Sequence, residues 1–125
     1  MSYLLYNAES EKMGTINYDE SESFLDFSYK HINCDLIEHV GLAPNIDIIV
    51  DEEGLLKPYD KVNVVRDSST GVRAHLVGNM MFAHVENGEV TDLTKDDLLY
   101  LKRNVSIGSV SVDKYHQINI LNSYR

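Results

Sequence analysis

Short runs of four to seven β-branched, aliphatic or aromatic residues, each broken by Gly, Pro, Asn or clustered acids, recur along most of this chain. That spacing constrains the fold more than any other feature, because short runs closed by turn residues build strands rather than long helices. Tyr3-Leu4-Leu5-Tyr6 reads as a first strand, and Gly14 and Asn17 bracket a second at Thr15-Ile16. Leu36-Ile37-Glu38-His39-Val40 and Ile46-Asp47-Ile48-Ile49-Val50 follow, with turn residues from Gly41 to Pro44-Asn45 between them. Asp51-Glu52-Glu53-Gly54 is expected to turn a hairpin, with Gly54 at positive φ, before Leu55-Leu56. Val62-Asn63-Val64-Val65 closes at the loop Ser68-Ser69-Thr70-Gly71, and the stretch from Val72 to Val85 is the longest apolar one. Glu86-Asn87-Gly88-Glu89 carries the Asn-Gly pair of a tight hairpin.

Only two segments have helical periodicity. Asp19-Glu20-Ser21-Glu22 reads as a helix start with Asp19 as N-cap, and Phe24, Leu25, Tyr29 and Ile32 fall near one face of a helix ending about Lys30. Thr94-Lys95-Asp96-Asp97 starts a second, with Leu98, Leu101 and Val105 at i, i+3 and i+7 and Lys102-Arg103 in its last turn. In the tail Ile107, Val110 and Val112 alternate with serines, and the phase slip at Gly108-Ser109 predicts a bulge. Ile118 and Ile120 predict a last strand. The expected fold is α+β, a compact mixed or antiparallel sheet of about seven short strands with two helices. One domain spans residues 1–125, with a core over 1–105 and a C-terminal strand pair over 106–125 placed to serve as an oligomerisation arm.

Composition excludes classes without naming an activity. The 125 residues suit one domain, and 43% hydrophobic with 25% charged residues describes a folded chain rather than a disordered one. No apolar run approaches the roughly 20 residues of a membrane span. The opening Met1–Tyr6 lacks the basic start and long apolar stretch of a secretory signal, and lone Cys34 cannot form an internal disulfide, which fits a reducing interior or is simply neutral. The net charge of −9 argues against long nucleic acid and a membrane surface as partners. Its distribution matters more than its total. Residues 1–60 hold thirteen acids and three bases, whereas residues 61–125 hold seven acids and eight bases. The acidic half reads as a solvated face, or alternatively as a surface for docking on a basic host protein or for mimicking nucleic acid.

Few patterns carry chemistry. The five histidines, His31, His39, His75, His84 and His116, show no metal-ligand spacing, and the acid pairs fall at turns and helix starts. No nucleophile elbow, Walker loop or dinucleotide fingerprint is present, so neither a catalytic residue, a metal nor a cofactor is expected. Ligand-binding residue types gather in the second half instead: Asn63, Arg66, Arg73, Asn79 and Phe82 on or beside strands, and Arg103 at a helix end. An aromatic face stacks a base, arginines pair with phosphates bidentately, and Asn reads a ring edge. The competing reading puts Phe82 in the core, leaves the arginines exposed and has Asn79 satisfy a bend.

The central stretch, Leu36 to Val105, resembles a phage- and plasmid-associated domain family of unknown function. The resemblance lies in the order of its pieces. A helix leads into Leu36–Val40, and Ile46–Val50 runs into Asp51-Glu52-Glu53-Gly54-Leu55-Leu56-Lys57-Pro58. Val77-Gly78-Asn79-Met80-Met81-Phe82 and Leu93-Thr94-Lys95-Asp96-Asp97 come later. It departs where Lys57-Pro58-Tyr59-Asp60 intervenes before Asn63, and residues 106–125 have no counterpart. The resemblance implies a small accessory protein of a phage or mobile element in the bacterial cytoplasm. The expected role is then an anti-defence protein, a homo-oligomer that sequesters a small nucleotide immune signal without turnover. In that role Phe82 stacks on the ligand, Asn79 and Asn63 read polar edges, and Arg73 or Arg103 meets phosphate. The alternative is an acidic inhibitor or nucleic-acid mimic acting on a host protein.

Overall fold

The computed structural model describes residues 2–115, which form nine strands, two α-helices and a single 3₁₀ turn, with residues 112–115 helical as well. The strands are β1 (Ser2–Asn7), β2 (Lys12–Asn17), β3 (Ile37–Ala43), β4 (Ile46–Asp51), β5 (Lys61–Asp67), β6 (Arg73–Leu76), β7 (Met80–Glu86), β8 (Glu89–Thr91) and β9 (Val105–Ser111). The helices are α1 (Phe24–Ile32) and α2 (Lys95–Asn104). All pairing is antiparallel and falls into two sheets. The larger runs β2-β1-β7-β4-β3, with β8 also paired to β7, and the smaller runs β6-β5-β9. The α+β class is as expected, but the strands divide between two sheets instead of sharing one. The division falls inside the longest apolar stretch. Gly78, at φ 86°, separates β6, which joins β5, from β7, which lies between β1 and β4.

That apolar stretch follows from burial on both faces. On β7, Met81 and Ala83 face a cluster with Tyr3, Phe27, Ile32 and Ile49 under α1. Met80 and Phe82 face the other cluster with Ile48, Val65, Ala74, Leu76 and Leu101, which joins the large sheet to the small sheet and α2. A strand buried on both sides has no polar positions to alternate with its apolar ones. The molecule is therefore layered: α1, the large sheet, then the small sheet with α2. Tyr3, Tyr18, Phe24 and Phe27 pack ring on ring between α1 and the sheet, with centroids 5.1–6.4 Å apart.

Local signals were read correctly at α2 and misplaced at α1. Thr94 caps α2 with a full capping box, accepting from the Asp97 amide while the Asp97 carboxylate accepts from the Thr94 amide. At α1 the N-cap is Ser23, not Asp19, and its hydroxyl accepts from the Asp26 amide at 3.0 Å. Asp19 instead closes the preceding turn, its carboxylate accepting from the Ser21 amide and its carbonyl from the Glu22 amide. The helix runs two residues past Lys30 because Ile32 is buried, and it stops where Asn33 turns left-handed at φ 64°.

Two other expectations fail. Asp51-Glu52-Glu53-Gly54 is not a hairpin turn: Gly54 opens the 3₁₀ turn Gly54–Leu56 and lacks positive φ. Its missing side chain serves close packing, since a Cβ there would lie 3.2 Å from the Val77 carbonyl oxygen. The bulge expected at Gly108-Ser109 is absent, because β9 pairs with β5 in unbroken register from Val105 to Ser111. Residues 106–111 thus belong to the small sheet, residues 112–115 are helical where the expected strand pair would continue, and the strand expected at Ile118 and Ile120 lies outside the described residues. No helix among the described residues is long and apolar enough to cross a membrane.

The cap assignment is testable by chemical denaturation. Ser23→Ala is expected to lower stability by about 1 kcal/mol, and Asp19→Ala by clearly less; equal losses would return the cap to Asp19.

Candidate functional site

The outer face of the small sheet is built from its turn. Asp67 ends β5 and is 2% exposed. One carboxylate oxygen accepts from the Ser69 amide at 2.8 Å and the Thr70 amide at 3.2 Å, and the other accepts from the Tyr100 hydroxyl of α2 at 2.5 Å. The Asp67 amide donates to Val72, the Gly71 amide donates to Asp67, and the Ser68 amide donates to Asn104 at the end of α2. Gly71 takes φ 78°, which a residue with a Cβ resists. Burial would raise the Asp67 carboxyl, but the hydrogen bonds from Tyr100, Ser69 and Thr70 outweigh it and hold the group below the usual aspartate value. The same bond raises the Tyr100 hydroxyl above its ordinary value.

This turn returns the chain so that Arg66 on β5 faces Arg73 on β6 in direct cross-strand register. Ser106 of β9 faces Arg66 from the other side. Both arginines are exposed, and neither forms an ion pair with any described carboxylate. One row along the sheet, His75, Val64 and Gly108 pair across the same face. Burial and the positive charges of Arg73 and Arg66 lower the His75 imidazole, so it is neutral near pH 7. Its ring meets that of Tyr115 at 5.4 Å and 72°. Two adjoining cavities of about 360 and 330 Å³ open here, and both are lined by Arg66, Arg73 and Ser106.

The expected site residues do not converge on one place. Phe82 has no exposed surface and sits in the core opposite Leu4 and Ile48, so it offers no face for stacking. Asn63 is buried and donates to the Gly78 carbonyl at 2.8 Å. Asn79 accepts from the Ala8 amide at 3.0 Å and donates to the His31 carbonyl at 3.1 Å, tying three parts of the chain together around the β6–β7 bend. Both asparagines are thus spent on backbone. Arg103 is exposed in the last turn of α2, beside Asn104, which lines the larger cavity. Only Arg73 stands in the groove, together with Arg66. Asp67, Tyr100 and Ser106 are not singled out by sequence patterns, and His75 stands out only as one of five histidines without ligand spacing, although Asp67-Ser68-Ser69-Thr70-Gly71 is a legible side-chain-closed turn.

Two further polar groupings are structural. A third cavity of about 320 Å³ is lined by Asp51, Gly54, Lys57 and Pro58 together with Val77, Gly78 and Asn79. It brings together two of the segments that carried the family resemblance, but Lys57 and Asp51 neutralise each other at 2.7 Å. His84 on β7 holds Asp97 at 2.7 Å through Nδ1 and faces Glu86 at 3.4 Å through Nε2. The Asp97 bond, against the cost of burial, raises the imidazole above its ordinary value. Carboxylates on both ring nitrogens make it a strut between sheet and helix. Cys34 is half-buried, its thiol raised by burial and by Asp51, and no group of three potential metal ligands comes together among the described residues.

A family model described as "Domain of unknown function (DUF3846)" matches residues 2–106, taking in β1 through α2 and the start of β9. No curated protein and no solved structure matches the chain.

The Asp67 hub carries a pH signature. A carboxyl with a lowered folded value adds stability above the unfolded value of about 3.9 and loses it as pH falls through the folded value. Asp67→Asn is therefore expected to cost about 2 kcal/mol at pH 7. Its deficit should shrink below about pH 4 in thermal melts from pH 7 to 2. A deficit independent of pH would show that the charge of Asp67 does not hold the turn.

Proposed function

The chain belongs to the DUF3846 family, and from the groove geometry we propose that it is a binding protein that captures a small phosphate-bearing ligand without turning it over. The facing, unpaired guanidinium groups of Arg66 and Arg73 carry this reading. Directly opposed like charges on neighbouring strands repel one another. This chain has 20 acids against 11 bases, yet no described carboxylate is set against either arginine. The Asp67 turn holds the pair in register from below. An anion with several oxygens relieves the repulsion and gives both planar guanidinium groups bidentate partners, and the Ser106 hydroxyl adds a donor at the same rim.

The size of the groove supports a small molecule. Cavities of about 360 and 330 Å³ that share three lining residues fall at the low end of small-ligand pockets, which run from about 300 to 1,000 Å³. Two arginines on an otherwise acidic chain favour a compact anion over a long polyanion. Capture of a nucleotide immune signal by a phage-encoded protein is one case of this reading. It requires a phosphate site and stoichiometric binding, with no group that cleaves the ligand.

A thermal-shift screen against cyclic nucleotides, ADP-ribose isomers and inorganic pyrophosphate tests the proposal. A ligand at about 100 times its Kd adds about 2.7 kcal/mol, which for a domain of this size is a rise of about 10 °C in Tm. The double variant Arg66→Ala/Arg73→Ala is expected to lose that rise while melting normally without ligand. The ligand should come back unchanged after denaturation. No rise with any probe, or a rise that survives in the double variant, contradicts anion capture; a chemically altered ligand contradicts sequestration.

A further inference from the structure

Gly108 stands in the middle of β9 on the outer face of the small sheet, one pleat along from the arginine row, with Val64 as its cross-strand partner. Glycine in a strand interior costs backbone entropy and gives up a side chain that would pack, so such a position has a reason behind it. Three ordinary reasons fail here. The register between β5 and β9 is continuous, so there is no bulge for the glycine to serve. Its φ is not positive; the glycines at positive φ are Gly71, Gly78 and Gly88. A Cβ built on it would meet nothing within 4 Å among the described residues, so it makes no room for a described neighbour. Gly108 is exposed, so among the described residues this stretch of strand is bare backbone, a setting in which an outside group can come close.

The surroundings of that strip are specific. It lies in the 330 Å³ cavity lined by Val64, Arg66, Arg73, Ser106 and Val110. Val64 supplies an apolar floor beside the exposed glycine, and Val110 lies on the far side, paired with Val62. On the other side of Val64, His75 pairs with it across β6, and the Tyr115 ring stands against the imidazole. Residues one pleat apart on the same face are separated by about 6.6 Å along the strand. That is the scale of a sugar between a phosphate and its base.

We infer that the ligand held by Arg66 and Arg73 carries a flat heterocyclic ring, of the nucleobase class, that lies on the bare backbone of Gly108 and against Val64. The inference rests on the anion reading of the arginine pair and adds to it the second recognition element. A side chain at position 108 would occupy the ring's place and leave the phosphate's untouched. Selectivity for a nucleotide over a plain sugar phosphate would then come from a residue that has no side chain, through contact area and exclusion of water from the strand.

The test is calorimetric titration of the full chain with AMP and with ribose 5-phosphate, which differ only in the base. The native protein is expected to bind AMP at least tenfold more tightly than ribose 5-phosphate. Gly108→Val should bring AMP down to the level of ribose 5-phosphate and leave ribose 5-phosphate itself unchanged. Valine is favoured in strands, so retained binding of ribose 5-phosphate also reports that the variant is folded. Gly108→Ala, a single methyl, should give an intermediate loss. Equal binding of the two probes by the native protein, or an AMP affinity that survives Gly108→Val, overturns the ring seat and leaves the arginine site standing. Failure of both probes to bind the native protein overturns the arginine site and the ring seat together.

Discussion

The Asp67 carboxylate accepts hydrogen bonds from the Ser69 and Thr70 amides and from the Tyr100 hydroxyl, so one buried charge joins the β5–β6 turn to α2. A buried carboxylate is costly unless its oxygens are satisfied, and here three donors satisfy them. The consequence reaches the surface through register. With the turn closed, Arg73 must pair with Arg66, Ala74 with Val65 and His75 with Val64, which sends the alanine inward to the core and the charged pair outward. A slip of one residue would bury an arginine. The turn therefore sets two like charges opposite one another at a position where packing alone would separate them.

Most of the fold was legible because its strands are short and their boundaries carry turn residues. The β7–β8 hairpin at Asn87-Gly88, with φ 54° and 79°, and the α2 cap at Thr94 rest on local chemistry that sequence patterns register directly. The division into two sheets was not legible. Nothing local distinguishes Ala74 and Leu76, which face the cluster between the two sheets, from Met81 and Ala83, which face α1. Only the pairing partners tell them apart. At α1, Asp19 and Ser23 are both good cap residues, and the choice fell to the one next to the aromatic packing of Phe24 and Phe27.

The site was legible in its residue types and not in its geometry. Arg73 and Arg66 were visible as residues able to pair with a phosphate, whereas Phe82 and the two asparagines carried the same promise and were taken up by the core and the backbone. Asparagine reads equally well as a ligand contact or as a bridge to a bent strand, and the donors and acceptors that decide between them lie 15 to 71 residues away in sequence. The charge followed the same pattern. A total of −9 conceals a second half with a slight excess of bases, and within it the small sheet turns two arginines to one side with no described carboxylate in ion-pair contact with either. The overall acidity is compatible with the proposed anion site because screening confines each charge's reach to about 8–10 Å at ordinary salt.

The most direct test of the arginine groove observes the guanidinium groups themselves. In a two-dimensional NMR titration of the arginine side-chain Nε–Hε signals with inorganic pyrophosphate, the Arg66 and Arg73 signals are expected to move together along one saturable curve while Arg103 stays in place. Movement of Arg103 alone, or equal non-saturating drift of all three, would contradict the account.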